Sequence, residues 1–202
     1  MIMRQHVTGM MKFSWWILMV FAFAKANYTQ AQSSKIKIEK EERIQQEALP
    51  LPIIEAVTQV SEDRKVKYYK EIDGEKISFE GKFKKAGNRY SMEFDVVGNF
   101  EDLEVEVKKR SVDKLLWNAI SLKLDSISSR WRTEKIQEQY LPESTMEKFK
   151  EKLKSSNFEN LEIIAAFKKD GKILRKELLF SAAGALIQMR EVKRIAYDFL
   201  LF

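Results

Sequence analysis

From Val66 onward the chain alternates apolar and polar residues with a period of two. Ile77, Phe79, Gly81 and Phe83 alternate with Ser78, Glu80 and Lys82. Tyr90, Met92 and Phe94 alternate with Ser91, Glu93 and Asp95, and Leu103, Val105 and Val107 with Glu104, Glu106 and Lys108. This spacing predicts strands that bury one face and wet the other. Val66, Tyr68 and Lys70 start a further strand. Asp73-Gly74, Ala86-Gly87-Asn88 and Val97-Gly98-Asn99 read as tight turns, so the strands are expected to be antiparallel. An apolar sheet face needs a cover. Leu49-Pro50-Leu51-Pro52 opens a helix that supplies one, because proline is tolerated in a first turn. Ile53, Ile54, Val57 and Val60 fall on one side of it. The charge-rich stretch from Lys35 to Gln46 is expected to be helical in its later part.

The second half repeats these themes. Ser111 is a candidate N-cap for a helix with Val112, Leu115, Leu116, Ala119, Ile120 and Ile127 on one stripe and Trp117 beside it. Trp131 to Tyr140 reads as a weakly patterned strand. Pro142 opens another helix, with Met146, Phe149 and Leu153 on a narrow stripe. Strands are expected at 161–167, 173–180 and 186–192, with turns at Gly171 and Gly184. The apolar tail Ile195 to Phe202 is expected to dock on this half.

Phe83-Lys84-Lys85-Ala86-Gly87 recurs as Phe167-Lys168-Lys169-Asp170-Gly171. In each half a second glycine turn follows, then a strand containing Glu-Val-Lys. A competing register pairs Glu42 to Pro50 with Glu134 to Pro142. The first register keeps the order of elements, and it predicts two α-β-β-β-β units. The expected fold is α+β. Two tandem modules, 32–110 and 111–202, each pack a helix on one face of an antiparallel four-stranded sheet, and the second carries a helical insertion near 141–157.

The stretch Ile77 to Lys109 resembles the exported PepSY-like, or β-lactamase-inhibitor-like, modules. The likeness lies in Phe79, the F-K-x-x-G of Phe83 to Gly87, the Y-S-x-E-F-D of Tyr90 to Asp95, the Gly98 turn and the acidic strand from Glu101 to Glu106. It covers about 45–110 well and 111–193 faintly. It implies tandem modules with helices on one sheet face and the other face free, export to the periplasm or beyond, and a role in inhibiting or regulating an enzyme. It includes no catalytic residue.

The first 31 residues change the charge arithmetic. Arg4 and Lys12 precede the apolar run Phe13 to Ala24, and small residues follow at Ala24-Lys25-Ala26 and Thr29-Gln30-Ala31. This is the layout of a cleaved secretory signal peptide. The run is short of the ~20 apolar residues of a membrane span. The whole chain carries 36 basic and 30 acidic residues. Removal of 1–31 takes away Arg4, Lys12, Lys25 and no acid, leaving 33 against 30. Little is left of a compositional case for nucleic-acid binding. The expected location is periplasmic or secreted, with no membrane span after cleavage.

The only histidine, His6, leaves with the signal, and the chain has no cysteine. Serine or cysteine triads, disulfides and zinc sites built on thiolate or imidazole are excluded. There is no glycine-rich phosphate loop and no calcium loop. No cofactor or metal is expected, and no enzyme, since a carboxylate-only enzyme needs an acid with a strongly perturbed pKa in a cleft. The leading expectation is a non-catalytic envelope protein that binds another protein, as an inhibitor or regulator of a hydrolase. Tyr68, Tyr69 and Trp131 are its candidate anchors, within a wider aromatic set that includes Tyr90 and Trp117. A uniformly charged free sheet face argues against that form. An enclosed cavity with convergent polar groups argues for the alternative, a small-ligand or cation-sensing module with a pocket between the repeats.

Overall fold

The structure, a computed structural model, describes residues 36–37 and 39–193. The signal segment and the apolar tail lie outside the described residues. Strands β1 (Ile36–Lys37) and β2 (Glu39–Ile44) lead through a short 3-10 turn to helix α1 (Leu51–Ser61). Strands β3 (Lys67–Asp73), β4 (Lys76–Lys85), β5 (Asn88–Asp95) and β6 (Phe100–Glu106) follow. Helix α2 (Lys114–Ile127), β7 (Trp131–Tyr140), helix α3 (Met146–Lys154), β8 (Asn160–Lys169), β9 (Lys172–Ser181) and β10 (Leu186–Val192) complete the order.

The architecture is α+β: nine antiparallel strands, β2 to β10, and three helices. One continuous sheet runs through both halves, joined where Leu103 of β6 faces Tyr140 of β7. The helices cover one face. Ile53 and Val57 of α1 pack on Met92, Phe94 and Leu103 of the sheet; Ile120 and Leu124 of α2 pack on Leu161, Ile163 and Leu178. At ~1.5–3 kcal/mol for each large apolar side chain, these two clusters supply the main drive to fold. Helix α3, although it follows β7, adds Phe149 to the first cluster, edge-on to Phe100 at 4.9 Å. Gly81 marks the closest approach of helix and sheet, where a Cβ would stand 2.9 Å from a Val57 methyl.

Several boundaries differ from the sequence reading. The stretch expected to turn helical before Gln46 is strand β2. Glu, Lys and Arg are good helix formers, but tertiary context overrides propensity: pairing with β3 satisfies a whole edge and sets Glu42 opposite Lys70. Helix α2 is capped by Asp113 rather than Ser111; its carboxylate accepts from the amides of Leu115 at 2.8 Å and Leu116 at 2.9 Å. Helix α3 starts after Thr145 and not at Pro142.

In hydrogen-bond order the sheet runs from β1, beside β10, to β2, beside β3. Only residue 38 separates β1 from β2 in sequence, and these two strands pair with opposite edges of the sheet. Nine alternating strands cannot close with every neighbour antiparallel, and the β1–β10 pairing is indeed parallel. The sheet is therefore curled, with the helices outside and the free face inside.

Candidate ligand site at the mouth of the concave face

The curl is visible in the burial of polar residues. On the helix-free face, Glu80 is 4% exposed, Gln137 3% and Glu177 4%, and Ser78, Ser91, Glu104 and Glu162 are also buried. An open sheet would leave such side chains wet. Here several of them bond to side chains on the neighbouring strand. Ser91 donates to Glu80, and the Gln137 amide donates to Glu104. Gln139 donates to Asp102 at 2.8 Å, and Asn160 to Gln139 at 2.8 Å. Arg190 of β10 donates to Glu177 at 2.9 Å and, through Nη1, to Asp73 of β3 at 3.2 Å.

The middle of this face is acidic. Burial first, then the neighbouring Glu104 and Asp102, push the Glu93 carboxyl well above its ordinary value. Burial also pushes Asp102 up to about 6, against the Gln139 hydrogen bond that lowers it. Glu41, Glu71 and Glu80 bring carboxylate oxygens within 4.8 Å of one another. Lys82 already serves that group, 2.8 Å from both Glu41 and Glu80. Burial opposes its charge, but the two carboxylates outweigh burial and raise its pKa above the usual lysine value.

One end of the face opens into a pocket of about 560 Å³. Its rim is cationic. Arg64 and Lys65 come from the loop before β3, Lys67 from β3, Lys82 and Lys84 from β4, and Arg89 from β5. Lys135 reaches it from β7. The pairing of β7 with β8 slips between Thr133 and Lys135. Such a bulge changes which face a side chain takes, and Lys135 joins the concave face instead of following Trp131 and Thr133 under the helices. Tyr69, Ser91 and Gln137 line the wall, and Glu106 is the single acid among the lining residues. Tyr69 carries the Lys82 ammonium 5.0 Å from its ring centre. Arg89 has Glu106 at 3.4 Å. Among the described residues, no carboxylate lies within ion-pair distance of Arg64, Lys65, Lys67, Lys84 or Lys135. The Gln137 carbonyl oxygen accepts no hydrogen bond there either. Neither Glu93 nor Asp102 lines this pocket.

The three aromatic residues singled out from sequence are not brought together. Tyr68 is buried under α1 in the first cluster. Trp131 lies on the helix side beside Trp117, its indole donating to Asp125 at 2.7 Å. Of the three only Tyr69 lines the pocket, whose lining also includes Tyr90 and Phe83. Tyr90 stacks on Phe83 at 5.1 Å. The basic run Lys108-Lys109-Arg110 sits before α2, with Lys109 over Trp117, and contributes nothing to the pocket. The cationic rim was missed, although Lys67 on β3 and Lys82-x-Lys84 on the neighbouring β4 carry the signal. Residues two apart share a face, and a hairpin sets those faces side by side.

Among the described residues no helix is long and apolar enough to cross a membrane. No family model matches the chain, and no curated protein does. Solved structures do. A DUF2874 family protein from Bacteroides ovatus superposes with a TM-score of 0.50 at 14% identity, covering 76% of this chain and 94% of that one. A Bacteroides eggerthii protein, provisionally described as periplasmic, gives a TM-score of 0.50 at 11% identity, with 71% and 88% covered. A BLIP-like protein from Bacteroides fragilis follows at 0.46 and 13% identity, with 71% and 86% covered, too distant to carry an argument. At these identities the likeness is one of fold alone.

Proposed function

We propose that the chain is an exported binding protein without catalytic machinery, and that its ligand is a small molecule held in the pocket at the mouth of the concave face. The observation that carries this reading is the closure of that face. Strands β1 and β2 pair with its two edges and Arg190 meets Asp73 across it, so the face is concave and partly enclosed. An enclosed site with a few convergent polar groups suits a small molecule.

Hydrolase inhibition by a sheet face laid over an enzyme is the less supported form. It needs an open face with aromatic anchors. Here the face is largely charged and partly buried, and among its described residues Tyr69 is the one aromatic side chain. A protein partner touching the rim around Tyr69 remains the form in which that reading survives.

Export to the periplasm or medium is supported by the leader-like layout of residues 1–31 and by the description of the Bacteroides eggerthii structure. The tandem origin is supported by the order α1-β3-β4-β5-β6 and α2-β7-β8-β9-β10, with α3 inserted after β7. It gains further support from corresponding turns, since Gly98 packs beside Ile53 of α1 and Gly184 beside Leu116 of α2.

The test is native mass spectrometry of the protein purified after export by a bacterial host, paired with a thermal-shift screen of metabolites. Retention of one small molecule per chain, or stabilisation by one chemical class, is expected. A protein partner that binds the processed chain through the middle of the concave face, with no small molecule retained, overturns the reading.

A further inference from the structure

The rim of the pocket places like charges against each other. In the pairing of β3 with β4, Lys67 stands directly opposite Lys82. In the pairing of β4 with β5, Lys84 stands directly opposite Arg89. Like charges in directly opposed positions destabilise an antiparallel pair. Lys82 is compensated by Glu41 and Glu80, and Arg89 faces Glu106 at 3.4 Å. Lys67 and Lys84 have no carboxylate at ion-pair distance among the described residues. Lys135 is turned toward the same space by its bulge, although its strand lies three places along the sheet from β4. Uncompensated cations that converge from three strands, in a pocket whose lining holds one acid, are a local cost that folding alone does not explain.

We infer that the pocket is an oxyanion site, and that its ligand is a small molecule carrying two or more negative charges on phosphate or carboxylate groups. The inference rests on the small-ligand reading above and names its chemical class. Lys67 and Lys84 hold one end of the charge and Lys135 the other. Tyr69 gives the ligand an aromatic wall beside Lys82. Gln137, whose buried carbonyl oxygen accepts no hydrogen bond, lines the same pocket. A multivalent anion stabilises this protein twice, by its own contacts and by relieving the repulsion between the paired cations.

The probe is inorganic pyrophosphate, added to the processed protein while thermal unfolding is followed, with sodium chloride matched for ionic strength. At a hundredfold excess over its Kd, pyrophosphate is expected to raise Tm by about 5–10 °C, and sodium chloride by far less. Lys84→Gln and Lys67→Gln are expected to unfold no lower than the parent without anion, because each removes a repulsive pair. Both are expected to lose most of the pyrophosphate shift. That combination separates a lost site from a damaged fold. The inference is overturned if pyrophosphate does no more than matched salt, or if both variants keep the full shift. If an uncharged metabolite stabilises the protein while pyrophosphate and citrate do nothing, the anionic class falls and the small-ligand reading stands. If the protein sediments with phosphatidylglycerol vesicles but pyrophosphate gives no shift, a lipid surface replaces the free anion.

Discussion

Arg190 and Asp73 are joined by a 3.2 Å hydrogen bond although seven steps of the sheet separate their strands. At ~4.8 Å per step a flat sheet would hold those strands roughly 34 Å apart, far beyond the reach of an arginine. The contact therefore reports the curl of the whole sheet. It also explains why Glu80, Glu104, Glu162 and Glu177 are buried on the face that carries no helix.

Breaking that contact should loosen the closure. Arg190 is held charged against burial, with Glu177 and Asp73 outweighing the loss of solvent. Arg190→Ala removes the cation that Glu177 and Asp73 share. The expected loss is about 3 kcal/mol, in the range for removing one partner of a buried pair. Chemical denaturation measures it. Hydrogen exchange should show the gain in opening concentrated in β10 and β3, with the strands under α2 unchanged.

Gly81 should be intolerant of a single methyl. Its Cβ would meet Val57 Cγ2 at 2.9 Å and Cγ1 at 3.2 Å. Gly81→Ala is expected to cost about 1–3 kcal/mol by overpacking. Shortening the opposing side chain, in Gly81→Ala with Val57→Ala, should recover part of the loss. A cost that simply adds in the double variant would mean that α1 does not approach β4 there.

The acidic middle of the concave face should make stability depend on pH in an unusual direction. Asp102 has a folded-state pKa pushed up to about 6, above its unfolded value. The native state then binds more protons than the unfolded state between about pH 4 and 6, so its contribution is full below that window and is lost as pH rises through it. The effect is on the order of 3 kcal/mol. Glu93 acts in the same direction. Asp102→Asn, which keeps an acceptor for Gln139, should match the parent near pH 4 and exceed it near pH 8. Tm measured across that range decides it, and a difference that does not vary with pH would contradict the burial of this carboxyl.

Asp113 should be the anchor of α2. It satisfies two amides of the first turn, and Asp113→Ala is expected to cost about 1 kcal/mol. Ser111→Ala should cost less, since the Ser111 hydroxyl donates to the Lys108 carbonyl and caps no helix. Equal losses from urea denaturation would reverse that assignment.

The alternating patterns made most strands legible, because each has one apolar face under a helix: Met92 and Phe94, Leu103 and Val105, Leu161 and Ile163. Strand β2 escaped because its residues, Glu39 to Arg43, are all charged and carry no apolar face to reveal a period. Its conformation comes from the edges it joins, and those edges are far apart in sequence. The site escaped for a related reason. Aromatic side chains draw attention in a sequence, but Tyr68 and Trp131 are core residues that happen to be large. The rim cations look like ordinary strand polarity one strand at a time. They become a site only when the curl brings Lys135 of β7 into the same space as Lys67 and Lys84. No local pattern records that curvature.

The closure of the sheet is the central claim, and one distance tests it. The chain has no cysteine, so Glu75→Cys and Lys193→Cys, both exposed, place spin labels just beyond β3 and β10 without a background. With β1 and β2 between the two edges, pulsed electron resonance should give a single distribution at ~15–25 Å, two strand spacings plus the label arms. A distribution centred at or beyond about 35 Å would mean that the free face is open and that the pocket has no enclosed face behind it.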